Sequence, residues 1–242
     1  MTDLDAFGTV RDAVLRQIAT AADRVGRDPA AVQLVAVTKT VDAERIRAAI
    51  AVGFTTLGEN RVQERAGKVA EVDAVSTYPA GEAPRWHLVG PLQSNKARRA
   101  IELFDVIETV DSLDLAERLS RIAGEVRPGN PLPVLLQVNV DDDSAKSGFD
   151  PAALEAALPQ ILDLPGLVVD GLMTVGRLVD TPEKARPTFV ALRRLSERLR
   201  ASNPALGGQL SMGMSEDYPV AVEEGATLVR IGRAIFGARQ PR

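Results

Sequence analysis

The run VLLQVNV (134–140) is apolar at five of its seven positions, and its first three residues show no alternation of polar and apolar side chains. A strand with one wet face alternates, whereas a strand covered on both faces does not, so this run reads as a parallel strand beneath helices. Runs of similar character lie at 33–39, 55–59, 86–90, 106–110, 168–174, 209–213 and 228–231; with the quoted run's own strand at 133–139 they make eight. Helical spacing fills the intervals at 43–52, 62–72, 94–103, 111–126, 150–162 and 181–202, with a short helix near 218–224. Another amphipathic helix, at 9–25 with Val10, Val14, Leu15 and Ile18 on one face, precedes the first strand. Asp111 and Thr181 stand where N-caps belong, and Gly53, Gly166 and Gly207 punctuate helix exits. Eight strands alternating with helices predict an α/β protein, a (β/α)8 TIM barrel with an extra N-terminal helix forming a single domain over 1–242. An open doubly wound sheet is the alternative.

The chain has 242 residues, 45% hydrophobic and 26% charged, which is ordinary for a globular protein. Its net charge of −4 offers no general attraction to nucleic acid or to an anionic membrane, so any phosphate recognition must be local. With no cysteine there is no disulfide, thiolate metal site or thiol nucleophile. The opening MTDLDAFGTV has neither the basic nor the apolar region of a signal peptide, and no run reaches the length of a membrane span. The expectation is a cytoplasmic protein acting on a small ligand. The stretch 76–85, STYPAGEAPR, reads as a flexible loop.

Polar residues gather at the C-terminal strand ends, the face on which barrels build their sites: Lys39, Asn60 after GE, the GPLQSNK loop, Glu108 and Thr109, Asn139, Thr174, SMGMS and RIGR. Lys39 has two readings. It can snorkel to solvent or pair with Glu59. Alternatively it is an imine-forming amine, which needs partial burial or a neighbouring cation, because an amine with a pKa of about 10.4 is protonated at neutral pH. Arg230 lies between Val229 and Ile231, so alternation aims it opposite them, into the barrel mouth, where it must find a partner or a ligand. Gly232 leaves room for close backbone approach to an anion, and Ser211 and Ser215 flank Gly213 on the neighbouring strand.

The stretches AVTKT (36–40), GENRVQE (58–64), HLVGPLQSNK (87–96), KSGF (146–149), GLMTVG (171–176) and SMGMSEDYPVAVEEGATLVRIGRAIFGAR (211–239) together resemble the pyridoxal 5′-phosphate homeostasis proteins. These are fold-type III pyridoxal-phosphate proteins, and the resemblance implies an alanine racemase N-terminal domain-like barrel. By that resemblance Lys39 holds the cofactor's aldehyde, Asn60 lines it, Ser211 with the Gly232–Arg233 turn binds the phosphate, and Arg230 faces the pyridine nitrogen. One departure is Arg233, where many members carry Thr or Ser, so a side-chain hydroxyl for the phosphate is missing there.

A cation against the ring nitrogen disfavours its protonation and weakens the ring as an electron sink, against decarboxylase and transaminase chemistry. A racemase tolerates this but needs an acid/base group on the opposite face. In related racemases that group is a tyrosine of a partner subunit's second domain, for which no counterpart is expected here. Tyr78, Tyr218 and His87, the single histidine, read as structural. The expected role is therefore a monomeric carrier, not an enzyme, releasing the cofactor to apo pyridoxal-phosphate enzymes, with a weak amino-acid racemase as the alternative. An aldolase or isomerase using Lys39 without the cofactor is a further class. Lys146 either helps relay the cofactor or is a solvated charge offsetting Asp141 to Asp143.

Overall fold

The computed structural model describes residues 3–73, 83–177 and 179–237. Strands β1 (Gln33–Val37), β2 (Thr56–Glu59), β3 (Arg85–Leu88), β4 (Val106–Val110), β5 (Leu132–Gln137), β6 (Leu167–Met173), β7 (Gln209–Ser211) and β8 (Leu228–Ile231) pair in parallel in chain order. β8 returns to β1 in the register Ala36 to Ile231, so the sheet closes into the expected barrel and the open-sheet alternative fails. Helices α2 (Ala43–Ala51), α3 (Val62–Val72), α4 (Ala97–Leu103), α5 (Leu113–Val126), α6 (Pro151–Leu162), α7 (Arg186–Ser202) and α8 (Tyr218–Glu223) follow strands one to seven, and the four-residue α9 (Arg233–Phe236) follows β8.

Period-two alternation divides the buried side chains into two layers. Val35, Val37, Val89, Leu135, Met173 and Leu228 form a small cluster inside the barrel. Their strand neighbours, among them Ala36, Leu57, Leu88, Leu136, Leu172, Val229 and Ile231, join the larger core beneath the helices. That double burial explains the unbroken apolar character of the strands.

Helix α1 (Asp3–Arg24) starts earlier than the spacing predicts, because Phe7 is buried with its ring edge-on to Phe236 at 5.5 Å. Asp42 and Asp150 cap α2 and α6 through their side chains. For α5 the cap is Ser112, whose hydroxyl accepts from the Leu115 N–H, and not Asp111. Thr181 makes no side-chain cap bond; it precedes a 3₁₀ turn, Pro182–Ala185, and the α-helix begins only at Arg186, followed by Pro187, which has no N–H to donate. Five strands, β1, β3, β5, β6 and β7, end one or two residues before their expected limits. β1 stops at Val37, with Thr40 in the left-handed region at φ 62°, and β7 stops at Ser211, two residues before Gly213 at φ 90°. Lys39 therefore sits in the turn after β1 and not on the strand.

Candidate functional site

Barrel closure places the ends of β8, β1 and β2 side by side, which brings Gly232, Lys39 and Asn60 to one part of the C-terminal mouth. Lys39 is partly buried there. The residues just before Lys39 and Asn60 are tied together: Glu59 Oε1 accepts from Thr38 Oγ1 at 2.7 Å and from Lys68 Nζ at 2.7 Å, and Lys68 also donates to the Thr38 carbonyl at 2.9 Å. Glu59 is thus the counter-ion of Lys68 on α3. Burial pushes its carboxyl above the ordinary range, against the opposing pull of Lys68 and Thr38. Gly90 abuts Asn60 so closely that a Cβ would fall 2.3 Å from the Asn60 carbonyl oxygen.

Gly232 has an ordinary φ of −114°, so its value lies in closeness: a Cβ there would stand 3.2 Å from the Val37 carbonyl oxygen. On the same turn the Ala234 N–H donates to Ser215 Oγ at 3.3 Å. Arg233 turns its guanidinium outward, 3.5 Å from Glu216, with both side chains about two-thirds exposed (64% and 68%). The loop carrying Ser215 is closed by Asp217, which is buried and accepts from the Met214 N–H at 2.7 Å.

Arg230 points into the barrel, as alternation requires. Its Nη1 donates to Ser211 Oγ at 2.6 Å and its Nη2 to the Thr174 carbonyl at 2.8 Å. Burial lowers its pKa, while Glu108 and Asp217 pull it back up. Ser211 in turn donates to Glu108 Oε2 at 2.6 Å. The Ser211 hydroxyl is therefore committed inside the barrel, and the serine placed beside the Gly232–Ala234 turn is Ser215. The sequence holds both serines around Gly213; only the fold separates their roles, since Ser211 lies on β7 and Ser215 in the loop beyond it.

His87 is buried as expected, but it is not simply packed: its Nδ1 faces Glu108 Oε1 at 2.6 Å. Glu108 is a mid-strand residue of β4 aimed at the barrel axis, a partner that the sequence reading left unassigned. Tyr218 is buried and donates its hydroxyl to Gln17 of α1. Tyr78 and most of the 76–85 loop lie outside the described residues. Lys146 stands over Asp141 and Asp143, at 3.5 and 3.6 Å, and Thr188 donates to Asp141 at 2.6 Å. Among the described residues no cluster of His, Cys, Asp and Glu could hold a metal, and no helix is long and apolar enough to cross a membrane.

Known proteins resemble this chain along nearly its whole length. The family model for the alanine racemase N-terminal domain matches residues 11–240. The curated relative from Pseudomonas aeruginosa, named pyridoxal phosphate homeostasis protein, is 45% identical over 228 residues, 93% of each chain. Its namesake from Escherichia coli is 39% identical over 92% of each. The structure of PipY from Synechococcus elongatus with PLP bound superposes with a TM-score of 0.79 at 44% identity, covering 91% of this chain and 100% of that one. An alanine racemase from Clostridium difficile shares the fold alone, with a TM-score of 0.67 at 15% identity over 94% of this chain and 60% of its own. The chain belongs to the alanine racemase N-terminal domain family and, within it, to the pyridoxal phosphate homeostasis proteins.

Proposed function

We propose that this protein binds pyridoxal 5′-phosphate at the barrel mouth, holds its aldehyde reversibly on Lys39, and releases it to apo enzymes that use it. The observation that carries the reading is the convergence of unlike donors on one face. A lysine after β1, a hydroxyl beside the Gly232–Ala234 turn and an inward arginine on β8 suit a phosphorylated aromatic aldehyde. PipY, at 44% identity, was solved with that molecule bound.

When bound, the cofactor supplies an aldehyde that exchanges between amines. The chain's own residues do the rest. Thr38, Glu59 and Lys68 hold the backbone from which Lys39 projects. Asn60 lines the site, and Gly232 lets the backbone of the last turn approach. Ser215 and the turn's N–H groups receive the phosphate in place of Ser211. Arg233 offers its backbone, its side chain being turned towards Glu216. Arg230 faces the ring nitrogen and disfavours its protonation.

Racemisation needs a second proton-transfer group on the opposite face. Tyr218 is bound to Gln17 and His87 to Glu108, which supports the carrier over the racemase. Among the described residues the exposed large apolar side chains are Leu4 and Val25 at the two ends of α1, Val168 on β6 and Met214 after β7, single residues on different elements, which supports a monomer. Lys146, held over two aspartates, is the group we assign to cofactor relay. Its K146A variant should slow transfer to an apo enzyme without preventing loading, and unchanged loading and transfer would remove it from the scheme.

The deciding experiment is the visible spectrum of the purified protein mixed with pyridoxal 5′-phosphate, followed by borohydride reduction and peptide mass analysis. A visible band and an adduct on Lys39, both lost in K39A, are expected. An adduct on another lysine, or none, overturns the reading. Turnover of an enantiopure amino acid that disappears in K39A would establish the racemase instead.

A further inference from the structure

Beneath Arg230 runs a chain of buried polar groups that holding a cofactor does not by itself require. Arg230 donates to Ser211, Ser211 donates to Glu108 Oε2, and Glu108 Oε1 faces His87 Nδ1, each step 2.6 Å long. All four residues are at most 5% exposed. The donor inventory fixes every direction. A guanidinium only donates, so Ser211 must accept from Arg230; an ionised carboxylate only accepts, so the single Ser211 proton goes to Glu108. The carboxylate likewise assigns a proton to Nδ1 of His87, whose Nε2 is buried and without a hydrogen-bond partner. Other charges lie nearby: Asp170 is influenced by Arg85 and His87, and Asp217 acts on Arg230. Burial opposes ionisation of Glu108, but the bonds and charges of His87, Arg230 and Ser211 outweigh it and hold the carboxyl below its ordinary range.

We propose that Glu108 is the positioning residue for Arg230: clamped by His87 on one oxygen, it orients Ser211 with the other, and so fixes the guanidinium while neutralising its charge. Resting on the reading that Arg230 faces the ring nitrogen of the bound cofactor, this makes the field at that nitrogen the field of an Arg–Ser–Glu dipole and not of a bare buried cation. Removing the carboxylate charge unmasks the cation, and protonation of the bound cofactor becomes harder.

The test uses the full-length protein loaded with pyridoxal 5′-phosphate and follows its visible band with pH in wild type, E108Q, S211A and H87Q. Melting curves of the unloaded variants report folding. E108Q is expected to load on Lys39 and to move the midpoint of the titration downward by roughly one unit, about tenfold in proton affinity. H87Q keeps the charge and loses only the clamp, so its midpoint should fall between. A folded E108Q that titrates like wild type overturns the proposal. If E108Q does not fold, S211A decides the matter, since it cuts the bridge and leaves both charges: a downward shift of about half a unit supports the proposal and an unmoved midpoint overturns it. A wild-type protein with no band and no adduct would instead sink the proposed function.

Discussion

Lys68 Nζ lies 2.7 Å from Glu59 Oε1 and 2.9 Å from the Thr38 carbonyl, so one ammonium on α3 ties down the residues that precede Asn60 and Lys39. Removing one partner of a buried pair costs about 3 kcal/mol, because the other charge is left unpaired. K68A should lose about that much stability at pH 8, whereas E59Q, which removes the costly charge, should lose about 1 kcal/mol or less. Glu59 has a raised pKa in the fold, so its protonated form is favoured at low pH and its ionisation withdraws stability as pH rises through that value. Denaturant unfolding should therefore show a smaller K68A penalty at pH 5 than at pH 8. A penalty independent of pH would show that Glu59 is not the source.

Glu108 carries the opposite sign. Its folded pKa lies below the ordinary carboxylate value, so it adds stability above that value and loses it as pH falls through the folded one. E108Q should be less stable than wild type by about 3 kcal/mol at neutral pH. The gap should close in acid, below about pH 4.3, where unfolded glutamates protonate. Melting temperatures of the two proteins between pH 3 and pH 8 check this; parallel curves would contradict it.

Ser211 and Ser215 are separable by ligand. S215A should weaken binding of pyridoxal 5′-phosphate about ten- to a hundredfold, the scale of one hydrogen bond to a charged group, and leave pyridoxal binding unchanged. S211A should not alter the difference between the two ligands. The reverse pattern, measured by equilibrium dialysis, would return the phosphate role to Ser211.

Arg233 offers a gain instead of a loss. Its guanidinium lies by Glu216, so R233A should bind the cofactor as wild type does, and R233T, which places a hydroxyl on the phosphate turn, should bind it about threefold more tightly. Weaker binding in both variants would place the guanidinium on the phosphate.

The loop after β7 depends on Gly213. At φ 90°, a Cβ would meet Ala221 Cβ at 2.5 Å and Tyr218 Cα at 3.0 Å. G213A should cost about 3 kcal/mol and reduce cofactor affinity together with stability. An unchanged melting temperature would show that the loop relaxes freely.

Much of the architecture was decided locally. Unbroken apolar runs between helical spacings mean strands buried on both faces, and eight of them in this length close into a barrel, so the mouth and the inward aim of Arg230 follow from periodicity. Local pattern also placed Lys39 at the end of the first strand, though not the turn that carries it beyond Val37. What tertiary structure alone decided is pairing across distance. Glu108 and Ser211 lie far apart in the chain yet meet on the barrel axis; Glu59 chose Lys68; Tyr218 found Gln17 on the N-terminal helix. Ser211 and Ser215 are indistinguishable in composition and spacing, because a hydroxyl's role is set by which donors and acceptors the closed barrel brings within hydrogen-bond reach of it, and closure is a property of all eight strands together.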